Sequence, residues 1–295
     1  MRRASYACQL GVVVSLAWLM ALSVSPAAEK PSVDFVAASL LNQEQACGPS
    51  LQVDYRVTGY PTSGDPLPIW DIRYIRTPKT IYIEDKDIVS GDETNGKINR
   101  FSYDRARKEM KIVAVRAKDG SEVGWNVFEG DKDATPTRVT ALYSPDPLYM
   151  LSVPIYEAVS LGSIREQTEL IDDVACWGID IPGEKIGHSR NIAFVVWVDA
   201  TVGLLPRRID RTYRGSLEAP VGTSVSFSEY RELGNGVWLP SKVIIQRCGA
   251  EGTVECDVQS ARAGVAVCPA DIEIRFKPGT RVWDLRSRSY RPVVQ

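Results

Sequence analysis

Leu51-Gln52-Val53-Asp54-Tyr55-Arg56-Val57-Thr58 alternates apolar and polar side chains without a break. Successive side chains of a strand point to opposite faces, so Leu51, Val53, Tyr55 and Val57 share one side and Gln52, Asp54, Arg56 and Thr58 the other. One face is buried and one is wet, the pattern of an antiparallel sheet with a single solvated side. The same period returns at 69–76, 80–84, 98–104, 110–116 and 122–128. Ser90-Gly91-Asp92 and Lys118-Asp119-Gly120 supply turns between these segments, which predicts a meander of neighbouring hairpins.

Upstream of this stretch the period is helical. Val33, Val36, Ala37, Leu40 and Leu41 recur at the spacing of one helix face, Ser32 can cap the exposed amides of the first turn, and Asp34 suits the positive end of the dipole. The spacing predicts a helix over 33–46 that stops at Gly48-Pro49 and covers a sheet. Downstream, polar residues 131–137 and Ser144-Pro145-Asp146-Pro147 break the pattern. Residues 148–161 then read as a second, less regular helical cover interrupted at Pro154. Strands resume at 164–171 and 176–181, and the apolar run 192–198 reads as a strand buried on both faces. Further strands are expected at 205–213, 223–230, 237–247, 253–259 and 271–276. The absence of alternating strands and helices argues against a parallel doubly wound sheet.

Arg2 and Arg3, the apolar run 10–24 and Ser25-Pro26-Ala27-Ala28 follow the three-part grammar of a secretory signal peptide spanning 1–28. About 15 apolar residues fall short of the roughly 20 a helix needs to cross a bilayer, so cleavage near Ala27 or Ala28 is expected rather than a retained anchor. Export to the periplasm, or secretion, follows. Cys8 precedes the apolar run and cannot serve as a lipoprotein cysteine at the cleavage site. Cys47, Cys176, Cys248, Cys256 and Cys268 lie beyond the leader, and an oxidising compartment makes them disulfide candidates. Cys248 and Cys256 flank a turn-like segment and form the most local pairing.

A net charge of −2 with 24% charged residues gives no general field for nucleic acid. Arg281, Arg286, Arg288 and Arg291 form the one basic cluster, in a segment (277–295) read as a solvated tail. With a single histidine there is almost nothing for a Cys/His zinc site, and no metal or cofactor is expected. His188 lies in a glycine-bearing polar loop and reads as solvent-exposed. Gly-x-Ser-x-Gly, His-Glu-x-x-His and phosphate-binding glycine loops are missing. Asp85, Asp87, Asp92 and Glu93 read as turn carboxylates without the oxygen spacing of a known calcium loop. Asp172 and Asp173, placed in a strand, would point to opposite faces and could not act as a pair. A two-carboxylate hydrolase is the least supported reading, and the chain is expected not to be an enzyme.

Val196-Trp197-Val198-Asp199, Gly203-Leu204-Leu205-Pro206-Arg207-Arg208, Phe227-Ser228-Glu229-Tyr230-Arg231-Glu232 and Gly236-Val237-Trp238-Leu239-Pro240 form a recognisable phrase. It resembles the outer-membrane lipoprotein-sorting (LolA/LolB-like) superfamily, as do Trp70 to Pro78 and the hairpin that includes Tyr103. The resemblance covers roughly 33–276 and implies a mainly β (α+β) fold: a strongly curved antiparallel sheet forming an unclosed β-barrel, covered by one or two helices, over domain 29–276. It also implies that Arg76, near the end of the second strand, holds the helical lid, although a surface arginine ending a strand has the same local sequence.

Trp70, Ile72, Tyr74, Ile81, Ile83, Phe101, Tyr103, Trp125, Phe194, Val196 and Val198 are the candidates for the concave wall. Such a wall either encloses a cavity for a lipid, a lipoprotein acyl chain or another amphiphile, or packs against its own helices. The first alternative makes the chain a carrier with a hydrophobic ligand and transient contact with a membrane surface. The second makes it an envelope interaction protein whose partner is another protein.

Overall fold

The computed structural model describes residues 29–61, 64–87, 96–122, 128–129, 144–151, 153–213, 221–247, 252–284 and 287–293. The leader (1–28), the turn at 90–92, Glu93, Trp125, residues 131–137, Cys248 and Arg286 lie outside the described residues. Ser32–Gln295 forms one compact unit.

Helix α1 spans Val33–Ala46, and its Phe35 amide donates to Ser32 Oγ at 3.1 Å, the cap expected of that serine. Val36 and Leu40 are buried, with Val33 and Ala37 packed beside them. Gly48, at φ +63°, lies just past the helix end.

Six strands follow: β1 (Leu51–Tyr60), β2 (Leu67–Arg76), β3 (Thr80–Asp87), β4 (Lys97–Asp104), β5 (Glu109–Arg116) and β6 (Phe128–Glu129). A 3-10 turn at Pro147–Tyr149 and helix α2 (Ile155–Ser160) make the second cover. The chain then runs through β7 (Ser163–Ile171), β8 (Val174–Pro182), β9 (Ile192–Asp199), β10 (Leu205–Tyr213), β11 (Val221–Glu232), β12 (Trp238–Arg247) and β13 (Thr253–Ala263). Helix α3 (Pro269–Ile272) and strands β14 (Arg281–Asp284) and β15 (Ser289–Pro292) complete it.

All fifteen strands among the described residues belong to one curved sheet in the order β15-β14-β6-β5-β4-β3-β2-β1-β13-β12-β11-β10-β9-β8-β7. Two meanders therefore spread outward from a seam between β1 and β13, and β7 and β15 remain as edges, so the sheet does not close into a barrel. The neighbours pair antiparallel except β14 with β6.

The concave side is one continuous apolar cluster. Leu51, Val53, Tyr55 and Val57 of β1 join Ile179 and Ile181 of β8, Phe227 of β11, Val243 of β12, Val36 and Leu40 of α1, and Ile155 and Val159 of α2. Burial of this area is the main favourable contribution to the fold. The opposite side carries charged rows organised by register beside smaller apolar clusters such as Ile75 with Tyr82 and Val113 with Val115. Ser260, Asp54, Arg73, Glu84 and Arg100 stand directly opposite one another across β13, β1, β2, β3 and β4. A second row runs Lys242, Asp257, Arg56, Asp71 and Lys86. Directly opposed opposite charges contribute roughly 0.2–1 kcal/mol each.

Three sequence expectations are corrected. Residues 271–276 form no strand: Pro269 and the three residues after it make the short helix α3, and the segment then crosses the outer face with Ile272 and Ile274 buried. The 277–295 segment does not hang free as a solvated tail, because its β14–β15 hairpin joins the sheet at β6 and buries Val282 fully, while Arg281, Arg288 and Arg291 stay exposed. Asp172 and Asp173 are not strand residues. They form the β7–β8 turn with φ of +49° and +62°, a two-residue connection of the kind that matches strand twist.

Candidate functional site: an apolar wall and its latch

Ten of the eleven wall candidates are described, and all ten fall in the concave cluster. Ile72, Tyr74, Ile81, Ile83, Tyr103, Phe194, Val196 and Val198 are buried, and Trp70 and Phe101 are partly buried at its margin. Register explains the grouping: Tyr74 faces Ile83, Ile83 faces Phe101, and Arg76, Ile81 and Tyr103 form the next row. The wall is thus covered by α1 and α2.

Arg76 lies in this row, 3% exposed, on the concave side. Its Nε donates to Asp146 Oδ2 at 2.6 Å, its Nη1 lies 3.5 Å from Glu44 Oε1 of α1, and its Nη2 is 3.5 Å from Cys47 Sγ. Tyr74 OH donates to the same Asp146 oxygen at 2.8 Å. Asp146 Oδ1 accepts from the Leu148 amide at 3.1 Å, so one carboxylate caps the 3-10 turn and binds the sheet at once. Arg105, in the β4–β5 turn, pairs with Glu44 Oε1 at 2.7 Å, and Tyr149 OH donates to that oxygen at 2.5 Å. The Arg76 and Arg105 guanidinium carbons lie 5.2 and 5.1 Å from the Tyr149 ring centre.

The electrostatics follow from burial. Burial is the largest influence on Arg76 and opposes its charge, but Asp146, Tyr74, Cys47 and Tyr149 together outweigh it and hold the guanidinium well above its usual range. Burial first, then the Asp146 charge, raises the Tyr74 phenol well above normal. Burial likewise pushes up the Tyr149 hydroxyl and the Cys47 thiol. The Arg76 guanidinium therefore stays charged and the Tyr74 and Tyr149 phenols stay protonated, and the cluster links both helical covers to the sheet. Asp146 stands out in the sequence only as part of a pattern break, and Glu44, Arg105 and Tyr149 do not stand out at all. Asp146 followed by Pro147 is a helix-start signal that marks a capping carboxylate, whereas nothing local pairs Glu44 with Arg105.

The phrase around Trp197 has a structural explanation. Asp199 Oδ1 accepts from the Thr201 amide at 2.7 Å, its Oδ2 accepts from Arg207 Nη2 at 2.8 Å, and Gly203 turns the chain at φ +74°. A Cβ on Gly203 would stand 2.8 Å from Gln43 Nε2, and Ser39 Oγ donates to the Gly203 carbonyl at 2.9 Å, so this turn seats α1. Trp197 points outward, donates to Asp210 Oδ2 at 2.9 Å and lies between Arg165 and Arg208.

Cys256 is buried opposite Val243 and Val57, and burial pushes its thiol up to about 12. No disulfide occurs among the described residues, and Cys248 is outside them. Asp85 accepts from Asn99 Nδ2 at 2.7 Å on the concave side of β3, next to the wall rather than in a turn. No cluster of three or more His, Cys, Asp or Glu suited to a metal occurs among the described residues. His188 is not solvent-exposed as expected: its ring packs against Phe194. No described helix is long and apolar enough to cross a membrane. A cavity of about 820 Å³ lies on the outer face, beneath residues 265–277, over a floor that includes Asp54, Arg73, Glu84 and Arg100.

No family model matches the chain, and no curated protein matches it. Among solved structures it is similar to a DUF1329 family protein from Desulfovibrio piger, with a TM-score of 0.56, 14% identity, and coverage of 83% of this chain and 98% of that one. It is also similar to a putative outer membrane lipoprotein-sorting protein domain from Vibrio parahaemolyticus (TM-score 0.48, 9% identity, 82% and 97% covered). A LolA superfamily protein from Nitrosomonas europaea matches at TM-score 0.48 and 12% identity, with 81% and 97% covered. The chain shares the fold of the DUF1329 protein over nearly all of that protein's length.

Proposed function

We propose that the chain is an exported bacterial-envelope carrier that holds a lipid, a lipoprotein acyl chain or a similar amphiphile against its concave wall, without catalysing a reaction. The observation that carries this reading is the latch. Both helical covers are attached to the apolar sheet through Arg76, Asp146, Glu44 and Arg105 as well as through apolar packing. A buried ion pair roughly breaks even between desolvation and attraction, so it fixes the cover's position while adding little to the cost of releasing it. The released wall would then receive an alkyl chain, whose burial contributes about 0.8 kcal/mol per methylene.

Native mass spectrometry of protein purified from its own envelope tests the proposal. A retained mass of lipid size is expected, and it should be lost in Ile83→Asp while circular dichroism still reports the folded sheet. Protein that carries no such mass, with Ile83→Asp unfolded, would overturn it. That outcome belongs to the second reading, a non-catalytic envelope interaction protein with a filled core. The burial of eight wall residues under the chain's own helices favours that alternative.

A further inference from the structure

Phe194, on the apolar wall, has two neighbours that are foreign to a hydrocarbon lining. Its cross-strand partner on β10 is Arg211, and the His188 ring packs on it with centroids 5.1 Å apart. Directly opposed residues share a face, and Arg211 lies two positions past the buried Ile209, so both polar groups belong to the concave side. Their place is remote from the latch. Register runs from Ile209 through Val225, Ile245 and Val254 to Gly59, at the other end of β1 from Leu51, which faces Arg76.

Arg211 Nε and His188 Nε2 are buried and have no hydrogen-bond partner. No described carboxylate pairs with Arg211, whose guanidinium instead sits 5.1 Å from the Tyr213 ring centre. A buried polar atom left without a partner costs free energy, and one acceptor beside Phe194 would serve both Arg211 Nε and a His188 ring that carries its proton on Nε2. Burial, and then the Arg211 charge, lower the His188 pKa, so the ring is neutral at pH 7 and can present an N–H without adding charge.

We infer that Arg211 and His188 receive the anionic headgroup, a carboxylate or a phosphate, of a single-chain amphiphile whose tail lies along Phe194, Val196 and Val198. This rests on the carrier reading and adds the class of cargo to it. A cation would be repelled by Arg211, and a neutral headgroup would forgo the charge-assisted bond that a guanidinium forms with an anion.

Titration calorimetry on the full mature chain, with three ligands kept below their critical micelle concentrations, tests the inference: sodium palmitate, 1-palmitoyl lysophosphatidic acid and 1-monopalmitoylglycerol. At least one anionic ligand should bind about tenfold tighter than the neutral one, and the favoured arm identifies carboxylate or phosphate. Arg211→Gln should abolish that preference and leave monopalmitoylglycerol within about twofold of the parent. His188→Phe, which keeps the ring packing, should weaken only the anionic arm, so the inference does not depend on one variant folding. Equal binding of all three ligands, unchanged in Arg211→Gln, would overturn the headgroup site and leave the carrier reading standing. Binding of none of the three would overturn both.

Discussion

Arg73 and Arg76 stand three residues apart on β2 and face opposite sides of the same sheet. Arg73 pairs with Asp54 at 3.1 Å across the outer face, with side-chain exposures of 60% and 45%. Arg76 pairs with Asp146 at 2.6 Å, with exposures of 4% and 1%. The outer face repeats opposed charges from strand to strand, and each pair is small, screened and replaceable. The latch on the inner face is a buried ion cluster, where each member depends on its partner for survival in a low dielectric. The same residue type thus organises a solvated surface in one setting and fixes the position of a cover in the other.

This contrast can be broken by substitution. Asp146→Ala strands the Arg76 charge and uncaps the 3-10 turn, and a loss of about 3–5 kcal/mol is expected in urea unfolding. An Arg76→Met, Asp146→Leu pair should recover most of that loss, because no ion remains buried alone. Ile81→Ala removes a fully buried side chain from the wall beside the latch. About 2–4 kcal/mol should be lost by the same measurement. Arg73→Ala should cost no more than about 1 kcal/mol, and raised salt should narrow its difference from the parent protein. An Arg73→Ala loss as large as that of Asp146→Ala would erase the distinction between the two faces.

Most of the sheet was legible because period-two alternation reports which face is buried, and Leu51 to Val57 show it without interruption. Helix α1 was legible because Ser32, the apolar spacing and Gly48 agree with one another. The latch was less so. Arg76 could be singled out, but Glu44, Arg105 and Asp146 reach it from three separate segments, and no local pattern encodes that convergence. The charge ladders needed register, which the pairing of strands sets and a single strand does not. The segment at 271–276 carries alternating apolar residues, yet Pro269 opens a helical turn there, and Ile272 and Ile274 find burial against the outer face without a ladder of backbone bonds.

The seam between β1 and β13 has a kinetic consequence. Leu51 pairs with Ala263, so the centre of the sheet is assembled from the first and nearly the last strands to be synthesised. Contacts this distant along the chain are slow to form, and a partly synthesised polypeptide cannot complete them. Assembly of the two meanders into one sheet must therefore wait until almost the entire polypeptide has been synthesised.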